Sequence, residues 1–111
     1  MIQSEWIEYI NRAVDYIEEN LDGEISYERL SQIAGCSIYN FQRMFSYIAD
    51  KTLNEYIRNR RLTLAAFDIL NSKVNIVDIA MKYGYTSHDS FTRAFQKFHG
   101  VLPSKVRTEI Q

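Results

Sequence analysis

A single cysteine, Cys36, stands among the 111 residues. That excludes an intramolecular disulfide and suits a reducing compartment. No apolar run approaches the roughly 20 residues that cross a bilayer, and no basic leader with an apolar stretch opens the chain. The expectation is a soluble, cytoplasmic protein with no membrane partner. Also missing are a Gly-rich phosphate loop, a nucleophile elbow and any His/Cys/carboxylate grouping of metal-ligand type, since His88 and His99 have no such companions. Enzymatic readings fare poorly, and neither metal nor cofactor is implied. No segment alternates with period two for long enough to be a strand, and no Pro/Ser-rich linker interrupts the chain. An all-α fold is what remains.

Net charge is only −1, which alone argues against a polyanionic partner, because phosphate neutralisation needs Lys and Arg. The mean hides a division. Residues 1–28 hold eight acids and one base, Arg12, whereas the rest of the chain holds twelve bases and six acids. Asymmetry of this kind points towards nucleic acid, with a merely solvated acidic face as the bland alternative.

What is present is a repeat. Ser37, Phe41, Arg43 and Phe45 recur as Ser87, Phe91, Arg93 and Phe95, every member displaced by fifty positions. Each copy opens on a residue able to cap a helix N-terminus, places its Phe pair at i and i+4 on one face, and leaves Arg on another. Upstream, a small residue stands four before a glycine in both copies, Ser31 with Gly35 and Ala80 with Gly84, at an offset of forty-nine. The second copy therefore has one extra residue, Tyr85-Thr86 against Cys36. Helix, tight turn, helix is the duplicated unit, and units of this shape send their second helix into the major groove.

The remaining pattern completes seven helices. Ile7, Ile10, Val14, Ile17 and Leu21 alternate by three and four, predicting an amphipathic helix over about 5–21, stopped by Asp22-Gly23. Ser26 caps a helix through Ala34, and the Ser37 helix runs to about Ala49. Thr52 and Glu55 form a capping box for the longest helix, to about Asn71, with an interior of Leu53, Ile57, Leu64, Phe67 and Leu70. At 1.5 Å per residue it is about 28 Å long and can serve as a spacer. Asn75 caps the next helix, Ser87 the one after, Gly100 ends that helix, and Pro103 starts a last short one. The organisation expected is a first helix-turn-helix subdomain over 1–51, a linker helix over 52–71 and a second subdomain over 72–111.

Candidate chemistry lies on the second helix of each unit. Tyr39, Gln42 and Arg43 stand outside the first Phe stripe, with His88, Asp89, Thr92 and Arg93 at matching places in the second. Gln pairs with adenine and Arg with guanine in bidentate fashion, and Asp89 can accept from cytosine or position Arg93. For phosphate, the candidates are Arg58, Arg60 and Arg61 on the long helix, Lys97, and the free N–H ends of the helices capped by Ser37 and Ser87. One of the three arginines is expected to serve a structural ion pair with Asp78, Asp68 or Glu55. Cys36, in the turn, calls for a small half-buried side chain.

These residues resemble the DNA-binding domain of the AraC/XylS family of bacterial transcription regulators. The most specific stretch is Ile76-Val-Asp-Ile-Ala-Met-Lys-Tyr-Gly-Tyr-Thr-Ser87, followed by Phe91-Thr-Arg-Ala-Phe95, Gly100 and Pro103 to Arg107. Gly35, Ser37, Phe41-Gln-Arg-Met-Phe45 and Tyr56-Ile-Arg-x-Arg-Arg-Leu62 match as well. The resemblance implies two helix-turn-helix subdomains joined by a helix, reading two successive major-groove segments of double-stranded DNA, with activation through RNA polymerase. Two departures bear on the last helix: Leu102 where the family has Ser or Thr, and Val106 where it has an aromatic. The Trp6-Ile start and the ending around Pro103 to Arg107 are similar to a subgroup in which a gyrase-inhibitor-like effector-binding domain follows. A different class of reading, a helical adaptor binding proteins through its acidic first helix, is separated by the salt dependence of binding.

Overall fold

The computed structural model describes residues 2–110, with side chains for residues 5–108. Seven α-helices follow one another among them: α1 (Ile2–Glu19), α2 (Tyr27–Ala34), α3 (Ile38–Ala49), α4 (Leu53–Asn71), α5 (Ile76–Lys82), α6 (His88–His99) and α7 (Pro103–Lys105), which runs into a π-helical turn, Val106–Ile110. No strand occurs among the described residues. The chain divides into two compact units, Met1–Ile57 and Arg58–Gln111, so the division falls inside α4.

Helix starts follow the local chemistry expected of them. The Oγ atoms of Ser26, Ser37 and Ser87 each accept the backbone N–H three residues on, at 3.1 Å. Thr52 Oγ1 accepts from Glu55 N–H at 3.1 Å, and Asn75 accepts from Val77 N–H at 2.9 Å. These bonds satisfy donors that have no partner within the helix. Leu102 supplies no such bond at the start of α7, and helix propagation there is left to Pro103.

In the first unit, α1 packs on α2 and α2 on α3. The buried stripe of α1 is Ile10, Ala13, Ile17 and Leu21, with Ile7 52% exposed and Val14 only half-buried. Thus the expected Ile7-to-Leu21 register is shifted at its start, where the small Ala13 permits close approach. α1 ends at Glu19, and its last turn tightens through Asn20 N–H to Ile17 C=O, 3.0 Å. Phe41 and Phe45 lie 6.1 Å apart by ring centroid, and Tyr56 sets its ring against Phe45 at 5.3 Å while donating its hydroxyl to Glu18 at 2.7 Å.

The second unit gathers Leu62, Ala65, Ile69, Ile79, Ala80, Tyr83, Phe91, Phe95 and Val106 into one core. Across α4 the buried positions are Leu53, Ile57, Leu62, Ala65 and Ile69, whereas Phe67 is 56% exposed and Leu64 and Leu70 are only partly covered. A helix serving two cores changes its buried stripe partway, here at the five-residue step from Ile57 to Leu62, and a single three-four alternation cannot describe that. Val106, one of the two departures in the last helix, is itself in the core, 4% exposed. His99 proves to be more than a helix-end residue: its Nε2 meets Leu62 C=O at 2.8 Å, which requires a proton on that nitrogen, and its ring packs on Phe95 at 4.3 Å. Arg107 reaches back to the end of α4, donating to Ile69 C=O at 3.2 Å and Ser72 C=O at 3.0 Å, so it satisfies carbonyls that the helix leaves open.

Asp68 on α4 accepts from Lys82 Nζ at 2.9 Å and from the Tyr83 hydroxyl at 2.7 Å. Partial burial disfavours its charge, yet the bonds from Lys82 and Tyr83 prevail and its pKa falls below the ordinary carboxylate value. The same geometry pushes the Tyr83 phenol up to about 12, through burial first and the carboxylate second. A depressed acid pKa contributes stability above the unfolded value and loses it as pH falls through the folded one. Replacing Asp68 by Ala should therefore cost about 1–2 kcal/mol at neutral pH, read from urea midpoints, with the deficit against wild type shrinking as pH drops below the carboxylate range. A raised phenol acts at the other end: the part of the stability due to Tyr83 is complete below its unfolded pKa and fades as pH climbs towards the folded value of about 12. A deficit independent of pH would show that the Asp68 charge is not what matters.

Candidate nucleic-acid interface

The two turns close in the same way. Gly35 ends α2 at φ +71°, its N–H bonding Ser31 C=O at 2.9 Å, and Cys36 N–H reaches that same carbonyl at 3.3 Å. In the second unit Gly84 stands at φ +88°, and Tyr85 N–H reaches Ala80 C=O at 3.0 Å. The left-handed backbone is where a side chain would be strained, which accounts for glycine at both places. In each copy, then, the closing bond runs back to the small residue, and Cys36 matches Tyr85. The extra residue of the second copy is Thr86. Ser31 adds a bond its counterpart Ala80 cannot, from Oγ to Cys36 C=O at 2.6 Å. Burial pushes the Cys36 thiol pKa up.

From these turns α3 and α6 emerge, each anchored beneath by its Phe pair, all four rings being buried. On α3, Tyr39 and Arg43 lie together on the exposed face, 65% exposure for Tyr39, with the Arg43 guanidinium 5.7 Å from the Tyr39 ring centre. That cation–π contact preorganises both. Gln42 is half-buried beside them. On α6, His88, Asp89, Thr92 and Arg93 line one shallow hollow of about 270 Å³. His88, Asp89 and Arg93 are exposed, while Thr92 Oγ1 is buried without a hydrogen-bond partner among the described residues. A buried hydroxyl without a partner is a group that calls for an explanation. The seven candidate base readers thus form two sets, one per helix.

The phosphate candidates are placed as follows. Ser37 and Ser87 cap their helices, Ser87 with additional support from Ser90, whose hydroxyl lies 2.9 Å from it. Lys97 and Arg58 are exposed, and Arg60 and Arg61 half-buried. The charges of Arg58 and Arg61 act on the Tyr85 phenol, offsetting part of the rise that burial gives its pKa, and an Arg61 terminal nitrogen would lie 3.8 Å from a Cβ on Gly84. Two cations therefore stand at the second turn. Asp68, a proposed partner for one arginine, is instead taken by Lys82 and Tyr83. Sequence reasoning gave Tyr85 no role, yet its ring meets Phe91 edge-on at 5.4 Å and so ties the turn to α6. The signals for it were the offset change between the repeats and its place in the stretch Ile76 to Ser87.

Charge follows the same division as the fold. Residues 1–57 hold four bases and ten acids, net −6, while residues 58–111 hold nine bases and four acids, net +5.

Comparison with known proteins gives a consistent picture. The helix-turn-helix domain family matches residues 30–109. The regulatory protein SoxS of Salmonella typhimurium is 37% identical over 98 residues, covering 88% of this chain and 92% of SoxS. The multiple antibiotic resistance protein MarA of Escherichia coli is 36% identical over 98 residues, covering 88% of this chain and 77% of MarA. Among solved structures, an AraC-type transcriptional regulator from Chromobacterium violaceum superposes with a TM-score of 0.85 at 20% identity, covering 96% of this chain and 95% of that one. That likeness speaks to the fold.

The caps of α3 and α6 offer a check on the geometry. Ser37→Ala and Ser87→Ala should each lower stability by about 1 kcal/mol, seen as a shift of the urea midpoint. Ser37→Gly should cost only a few tenths as much. Equal losses for Ala and Gly would mean that the hydroxyl bond is not the source.

Proposed function

The chain belongs to the AraC-type helix-turn-helix family, and from that premise we propose that it regulates bacterial transcription by binding specific double-stranded DNA sequences, α3 and α6 entering successive major-groove segments. One observation carries this reading: two helices anchored by equivalent buried Phe pairs expose the same positions of their N-terminal halves. The roles follow from side-chain chemistry. Arg43 and Arg93 suit guanine, Gln42 suits adenine, Tyr39 packs on a thymine methyl or a sugar, and His88, Asp89 and Thr92 complete the second set, with Asp89 accepting from cytosine N4. Phosphates are met by Lys97, by Arg58, Arg60 and Arg61, and by the N-termini capped by Ser37 and Ser87. With net charges of −6 and +5 on the two units, the second supplies most of the long-range attraction. The first contributes local contacts through α3. Family resemblance adds two further proposals: activation by recruiting RNA polymerase, and an effector-binding domain beyond residue 111.

Selecting bound fragments from a random duplex pool tests the central reading. One bipartite consensus with half-sites about 10 bp apart is expected, and a flat pool would count against it. On that consensus, Arg93→Ala should cost about 1–3 kcal/mol and relax preference at one base pair. Lys97→Ala should weaken all sequences alike and reduce the salt slope by about 0.9. If Arg93→Ala weakened every sequence equally, Arg93 would be a phosphate contact and its assignment as a base reader wrong.

A further inference from the structure

We propose that the first unit holds a binding site for a small aromatic carboxylate, in the cavity of about 600 Å³ that lies between α1 and the turn leading into α3. Its volume is within the range of small-molecule sites, about 300–1,000 Å³. The lining is aromatic and soft: Trp6, Tyr9, Met44 and, at the exposed rim, Tyr47. The Trp6 indole N–H is directed at the Met44 sulfur, which fixes the orientation of the largest wall. Gly35 leaves space on the turn side, with nothing within 4 Å of where a Cβ would stand. A flat apolar body is what such a lining accepts.

The polar end is set by Arg43, the one cation lining the cavity among the described residues. Its contact among the described residues is the Tyr39 ring, 5.7 Å from the guanidinium, with no carboxylate in ion-pair reach. The fork of N–H donors is therefore open, and a carboxylate matches it with two parallel bonds. Glu5 lines the α1 side. Its charge disfavours a second acid on the ligand, so the class is a planar apolar monoacid.

A regulatory consequence follows, and it rests on the role of Arg43 in DNA reading proposed above. One guanidinium cannot serve ligand and guanine at once, so occupancy should weaken DNA binding, and DNA should weaken ligand binding by the same factor.

Trp6 is the only tryptophan, so its single indole N–H resonance reports the cavity directly. Titrating naphthoate into the intact chain should shift that resonance saturably, whereas naphthalenemethanol, equal in shape but neutral, should bind at least tenfold more weakly. Arg43→Ala should remove the preference for the acid, and Glu5→Gln should tighten naphthoate while leaving the alcohol unchanged. Retained spectral dispersion in both variants confirms that the fold is intact. Absence of a saturable shift, or equal binding of acid and alcohol by the wild type, overturns the site. If naphthoate binds through Arg43 yet leaves DNA affinity untouched, the site stands and the assignment of Arg43 to DNA reading fails.

Discussion

The second helix of each unit projects from a pair of phenylalanines one turn apart, Phe41 with Phe45 and Phe91 with Phe95, all buried. Their rings occupy one face of the helix, so the residues on the other faces are presented outward without freedom to rotate. Everything functional about α3 and α6 depends on that constraint. The turns add the entry angle: in each, an N–H closes back on a small residue, and a glycine takes the left-handed conformation needed to do so. The two features together define a rigid presentation of polar side chains, which is what discrimination between base pairs demands.

Closely similar scaffolding carries different surfaces. On α3 an aromatic ring and a guanidinium support one another, and the unit around them is acidic. On α6 a histidine, an acid, a threonine and an arginine share one hollow, in a unit that is basic. The duplicated pattern thus separates what is needed for folding, which recurs, from what is available for recognition, which does not. Charge, too, is divided unequally between the two units, −6 against +5.

Much of this was legible in the sequence, because caps, glycine stops and an i, i+4 aromatic pair are local signals. The starts at Ser26, Ser37, Thr52, Asn75 and Ser87 needed only the chemistry of the next three residues. The misplaced residues were those whose burial is decided at a distance. Phe67 is large and apolar, yet stands exposed because α4 changes the stripe it buries partway along. Ile7 continues the three-four spacing, yet 52% of it is exposed, and Ala13 rather than Val14 is buried. His99, Arg107 and Asp68 form bonds to partners from fourteen to thirty-eight positions away, and no spacing rule announces such pairs. For the site, the exposed polar positions were visible from the repeat, whereas the unpaired Thr92 hydroxyl and the cavity beside Trp6 required coordinates.

Val106 and Arg107 are made after the other residues of the second unit's core, and both are needed upstream. Val106 fills a place in the core of the second unit, and Arg107 holds the open carbonyls at the end of α4. Until the ribosome has released this stretch, the unit lacks a wall and α4 a firm terminus. The basic unit is consequently completed after the acidic one has had time to collapse, and a nascent chain assembles its cationic surface only once translation has passed that point.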